Sequence, residues 1–176
     1  MSGKFLYFAY GSNLLQKRIH LDNPSATRSG IGKLKNYRLD FNRFSKRWGG
    51  ASATIVKKEG AHVWGALWTL DNKHMETLDN QEGVPQNIYK ALTIEVECPN
   101  GEKKTCRVYE QTNIPEVLEN ITDIPQERKP SYIYLKIIQE GAKESGLPDD
   151  YQQFLQKIPH NGFKGHTDLG LKLDIV

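Results

Sequence analysis

The 176-residue sequence predicts an α+β fold, a small and mostly antiparallel β-barrel with peripheral helices. Five or six strand-like runs come nearly in succession, broken only by short helical segments, and two amphipathic helices follow them. That order differs from the regular βαβ alternation that builds parallel sheets. The runs are also interrupted by glycines, as in TRSGIGKLKNYRLDFN, and glycine-broken antiparallel strands bend enough to close on themselves. The length suits one domain, spanning residues 1–176 with an irregular tail from about residue 159, and neither a repeat nor a clear linker divides it.

The elements follow in order. Residues 4–10 carry the apolar run Phe5 to Ala9 and read as a buried strand. YGSN breaks it abruptly, and Ser12 and Asn13 are suitable N-caps for a helix over 13–19. Gly11 allows a backbone that a side chain would forbid. The strand–turn–helix unit leaves a cluster of free N–H groups at the turn, which suits an anion. NPSA at 23–26 is a turn, and TRSGIGKLKNYRLDFN is a long bent strand. GGASATIVKKEG and HVWGALWTLD read as two further strands with a turn at Lys57 to Gly60. DNKHMETLDNQEG reads as a short helix, capped by Asp71 and closed near Gly83. A hairpin surrounds Asn100-Gly101, where a two-residue turn pairs position 98 with 103 and 106 with 95. In that register Cys98 and Cys106 do not face each other, and no disulfide is expected. Ser131 after Pro130 starts the first of the two final helices, and Gly146 and Pro148 separate them.

Composition excludes several classes. Hydrophobic residues at 38% and charged residues at 26% describe an ordinary globular chain, not a disordered one. No apolar run approaches the roughly 20 residues of a membrane span. The N-terminal apolar stretch is too short for a signal peptide and ends in a turn, so the protein reads as cytoplasmic. A net charge of +3 is too mild to imply nucleic acid. The one basic cluster, NRFSKRW with Arg43, Lys46 and Arg47, reads as a solvated loop or a polyanion patch. The histidines show no ligand spacing, there is no GxSxG or P-loop pattern, and both cysteines sit mid-strand, so neither a metal nor another cofactor is expected.

Two features remain for chemistry. The turn at 10–13 can hold an anion. Glu82 in LDNQEGV stands at a helix C-terminus, where the negative end of the dipole raises a carboxyl pKa toward the range of a general base. On spacing alone the same position better suits a solvated glutamate with no role. The eight tyrosines are core and boundary residues, some of which can line a small polar pocket.

YFAYGSNL, RIHLDNPSA, VWGALWTL, LDNQEGV, TCRVYEQTN and GAKESGLPDDYQ together resemble the γ-glutamylcyclotransferase family, from about residue 5 to about residue 158. The resemblance implies a small β-barrel with peripheral helices and a cofactor-independent enzyme, homodimeric in some members. The implied reaction converts L-γ-glutamyl-amino acids to 5-oxoproline and the free amino acid, as the substrate α-amine attacks its own γ-carbonyl. The family's catalytic glutamate matches Glu82. Its substrate loop matches Tyr7, Phe8, Ala9, Tyr10, Gly11 and Ser12, extended here to Asn13, and its pocket tyrosines match Tyr109 and Tyr134, with Tyr132 close to the latter. Glutathione-specific relatives tend to carry a YGSL-type loop, and Asn13 argues against that branch. A γ-glutamylamine cyclotransferase on the same fold, or a non-catalytic module that binds a small metabolite, are the alternatives.

Overall fold

The computed structural model describes residues 3–165, and the tail beyond lies outside the described residues. Five strands close into a barrel: β1 (Lys4–Ala9), β2 (Thr27–Ser45), β3 (Gly50–Asp71), β4 (Tyr89–Glu97) and β5 (Lys103–Gln111), in the spatial order β1-β3-β2-β4-β5. Neighbours run antiparallel except β1 and β5, which close the barrel in parallel at Tyr7 opposite Arg107. Helices α1 (Gln16–Asp22), α2 (Met75–Gln81), α3 (Tyr132–Ser145) and α4 (Asp149–Gln156) lie outside it. Trp68, Phe8, Phe41, Leu39 and Ile55 are among the side chains buried in the core.

β2 and β3 are longer than the sequence suggests. Lys57 to Gly60 do not separate two strands. Residues 58–61 form a bulge inside one, since Tyr37 pairs with Lys57 while Lys35 already pairs with His62. Asn36 holds the bulge, taking a left-handed φ of 64° and accepting the Gly60 N–H at 3.1 Å. The basic NRFS segment is also not a loop. Phe44 pairs with Ala51 and Ser45 with Gly50, so only residues 46–49 form the turn. Further bulges between Arg28 and Ile31 and between Phe41 and Phe44 bend the pair as the glycine pattern anticipated. In the β4–β5 hairpin Glu97 pairs with Lys103 and the Cys98 N–H bonds the Glu102 carbonyl. The register is therefore one residue off the expected two-residue turn, and Cys106 faces Ile94.

Helix ends show where local signals hold. The Ser131 hydroxyl accepts the Tyr134 N–H at 3.2 Å, and Gly146 closes α3. Ser12, Asn13 and Asp71 make no capping bond. Ser12 to Leu14 form a single 3-10 turn, and α1 starts only at Gln16. Asn13 is unavailable because its side chain donates to the Tyr7 hydroxyl (3.1 Å) and its carbonyl accepts the Trp68 indole N–H (2.9 Å).

The long connection from β5 to α3 contains only 3-10 turns and is fixed by charge. Asp40 on β2 is fully buried. It accepts from Arg38 at 3.0 Å and from Arg128 at 2.7 Å, while Arg38 also donates to the Leu118 carbonyl and Arg128 to that of Phe41. Breaking such a group leaves two guanidiniums with little access to water. Asp40→Ala is expected to destabilise the fold by about 3–5 kcal/mol, read as a lower urea midpoint at an unchanged m-value.

Candidate active site

β1 ends at the rim of the barrel, and the turn that follows it is clamped from outside. Gly141 of α3 lets that helix approach the turn so closely that a Cβ there would stand 2.6 Å from the Leu14 Cβ. One turn further on, Ser145 donates to the Leu14 carbonyl and Glu144 accepts the Gln16 N–H at 2.8 Å. Among the described residues, the amides of Gly11, Ser12 and Asn13 have no partner within the protein, as in the first turn of any helix. The buried Asn13 Oδ1 has none either. The turn thus offers three donors and one acceptor to a small cavity of about 50 Å³. At Gly11 an added Cβ would meet Ala53 and the Tyr134 hydroxyl at ordinary contact distances of 3.5 and 3.7 Å, so the neighbours alone do not exclude a side chain. What its missing side chain leaves is space in the cavity.

Glu82 reaches the same cavity from the end of α2. The helix closes with the Gly83 N–H on the Asn80 carbonyl and the Val84 N–H on that of Asp79, the paired bonds of a Schellman turn. Gly83 takes the left-handed φ of 73° this requires, with Ile88 packed on it. The closure fixes the direction in which the preceding residue, Glu82, leaves the helix. Burial pushes the Glu82 carboxyl up to about 7. Arg18 and a hydrogen bond with the Tyr7 hydroxyl pull it down less strongly, and Asp79 adds a smaller upward push. The dominant cause is removal from water and not the helix dipole. The carboxyl retains some exposed surface because it opens onto cavities on two sides.

Four tyrosines complete the wall, and their protons are mostly committed. Tyr10 donates to the Tyr109 carbonyl at 2.6 Å, Tyr89 to the Ala53 carbonyl at 2.6 Å, and Tyr109 to Asp79 at 2.5 Å. The Tyr134 hydroxyl accepts the Ala53 N–H at 2.9 Å, which leaves its own proton free for a ligand. Arg107 forks onto both Asp79 oxygens at 3.0 and 2.7 Å, tying α2 to β5.

Of the residues expected at the site, Tyr7, Tyr10, Gly11, Ser12, Asn13, Glu82, Tyr109 and Tyr134 surround this cavity. Phe8 and Ala9 do not line it. Phe8 is fully buried against Gly65, as the alternation of a strand requires when Tyr7 faces the cavity. Tyr132 packs edge-on against His160 and stands apart from the cavity. Sequence reasoning missed Tyr89, Asp79 and Arg18. Tyr89 follows a turn and carries no local signal, and the other two act through tertiary contacts. Among the described residues no cluster of three metal-ligating side chains occurs.

The AIG2-like family matches residues 62–155. γ-Glutamylcyclotransferase of Mus musculus is 43% identical over 165 residues, covering 92% of this chain and 82% of that protein, and its Homo sapiens counterpart is 41% identical with the same coverage. A solved structure of γ-glutamyl cyclotransferase superposes with a TM-score of 0.85 at 39% identity over 94% of both chains. The yeast cyclotransferase specific to glutathione superposes with a TM-score of 0.63 over 94% of this chain, and at 14% identity it shares the fold alone.

A raised carboxyl pKa has a sign in stability. The folded protein holds the Glu82 proton up to about pH 7 whereas the unfolded chain releases it near 4.5, so this group stabilises below 4.5 and that contribution is lost as pH rises to 7. Glu82→Gln abolishes the dependence. Thermal melts are expected to show the variant gaining on the wild type between pH 4.5 and 7 and holding its advantage above.

Proposed function

Because the chain belongs to the γ-glutamylcyclotransferase family, we propose that it converts L-γ-glutamyl-amino acids to 5-oxoproline and the free amino acid. The substrate α-amine is protonated near neutral pH and cannot attack. The Glu82 carboxylate takes that proton, the freed amine adds to the γ-carbonyl, and the five-membered ring closes. A second proton leaves the attacking nitrogen as the ring closes, and Glu82 relays both to the nitrogen of the departing amino acid, which leaves as its ammonium form. No water is consumed and no other group is reduced or oxidised. A carboxyl near 7 suits both steps better than one near 4.5, because a base and its conjugate acid are each populated at the working pH.

The observation that carries the reading is the convergence on one cavity of this carboxyl, the three unpartnered amides at 11–13 and the Tyr134 hydroxyl. The amides hold the glutamyl α-carboxylate and can polarise the carbonyl as charge grows on its oxygen. Asn13 Oδ1 accepts from the ammonium, and Tyr134 donates to the substrate. The tyrosine walls hold the glutamyl chain curled, so that amine and carbonyl meet without a search. The two free thiols, Cys98 and Cys106, accord with a cytoplasmic place for this reaction.

The test is 5-oxoproline release from γ-glutamyl-alanine, γ-glutamyl-ε-lysine and glutathione supplied separately. Release is expected from the first, with kcat/KM falling on the acid side of a pKa near 7. Glu82→Gln is expected to lower kcat by about 10²–10⁴-fold while substrate still binds by calorimetry. Retention of near-full rate would remove Glu82 as the base. Tyr134→Phe is expected to lower kcat/KM about tenfold, the loss of one hydrogen bond to a polar ligand, measured under the same assay.

A further inference from the structure

A second and larger cavity, of about 500 Å³, adjoins the reaction cavity and shares Ser12, Asn13, Glu82, Tyr89 and Tyr134 with it. Its outer wall is the tip of the β2–β3 hairpin, the basic NRFSKRW segment. Four cationic side chains line it, Arg18, Arg43, Lys46 and Arg47, against the single carboxylate of Glu82. Arg18 is only 6% exposed, and its Nε is buried without a partner. Its contact with Asp22 is long, at 3.4 Å. Both the Arg18 and Arg47 guanidiniums lie within 6.0 Å of the Trp48 ring. Partial burial and the Arg18 charge disfavour the cationic form of Arg47, and Asp22 favours it less strongly. Among the described residues Arg43, Lys46 and Arg47 form no ion pair. The fold therefore gathers four cationic side chains beside the reaction cavity, offset only by Asp22, which pairs with Arg18 and faces Arg47, and by Glu82.

Resting on the cyclotransferase reading, we propose that this vestibule grips the departing amino acid by its carboxylate, with Arg18 at its base and Arg47 at its rim, and so determines that the acceptor carries a free carboxylate. The position follows from the reaction. Glu82 stands where the two cavities meet, so a substrate whose scissile amide lies at Glu82 has its glutamyl half in the small cavity and its acceptor half in the large one. A guanidinium binds a carboxylate with two parallel hydrogen bonds, which an amide or an amine cannot accept in the same way. The basic segment is thereby a substrate-facing element rather than a solvated loop or a nucleic-acid patch.

The experiment compares kcat/KM for γ-glutamyl-alanine and γ-glutamyl-alaninamide in the wild type, Arg47→Gln and Arg47→Lys. Arg47 is exposed on a turn, so these variants are expected to fold, and circular dichroism checks that they do. The wild type is expected to prefer the acid by about tenfold or more, the preference to shrink several-fold in Arg47→Gln through KM for the acid, and Arg47→Lys to recover part of it. Added salt is expected to compress the preference in the same direction. Equal rates on acid and amide in the wild type, or an equal loss on both in Arg47→Gln, would overturn the assignment while leaving the cyclotransferase reading intact. Release from neither substrate by folded wild-type protein would overturn that reading and this inference with it.

Discussion

β1 and β5 meet in parallel at Tyr7 and Arg107, and the candidate site is built along this seam. Parallel strands cannot be joined by a tight turn, so the chain traverses three other strands before it can close the barrel here. Closure brings Tyr7 from the first strand beside Tyr109 from the last, their rings edge-on at 5.8 Å. It also lets Tyr10 reach the Tyr109 carbonyl and Arg107 reach Asp79 on α2. The seam also gives the short helix that carries Glu82 one of its anchors. A seven-residue helix is unstable alone, and α2 owes its place to Leu78 in the core and to the Arg107 fork.

The electrostatics of the site balance two opposed tendencies. Withdrawal from water favours the neutral carboxyl, while Arg18 and the Tyr7 hydroxyl favour the charged one. Full burial without these partners would leave a permanently protonated acid, and full exposure would leave a weak base. Arg18 lines the larger cavity, with most of its surface excluded from solvent and its Nε unmet. The same guanidinium thereby tunes Glu82 and contributes to the positive character of the vestibule.

The short motifs that resemble the γ-glutamylcyclotransferase family now have physical reasons. GAKES supplies a close helix approach at Gly141 and two polar clamps at Glu144 and Ser145, which hold the YGSN turn from behind. QEG is a carboxylate followed by the left-handed residue that ends its helix and aims it. VWGALWTL supplies Gly65, which makes room for the Phe8 ring and the Ala9 carbonyl, and Trp68, whose indole anchors Asn13. These are supports more than reactants. Such support matters because an error of about 1 Å in a reacting group is expensive in rate.

Period-two alternation, glycine interruptions and the trailing amphipathic helices were sufficient to determine the α+β class and the barrel, because those signals are local consequences of which face is buried. Ser131 and Gly146 could likewise be read as caps from their neighbours alone. Ser12, Asn13 and Asp71 could not, since tertiary partners or a 3-10 start displaced the cap. The sequence by itself pointed to the YGSN turn and to Glu82, but with a mistaken cause for the raised pKa, the dipole in place of burial. Depth is a property of the whole fold, and no run of residues around position 82 contains it. Tyr89, Asp79, Arg18 and the vestibule at the β2–β3 tip were decided by tertiary structure alone. They lie far apart in the chain, and only the closure of the barrel makes them neighbours.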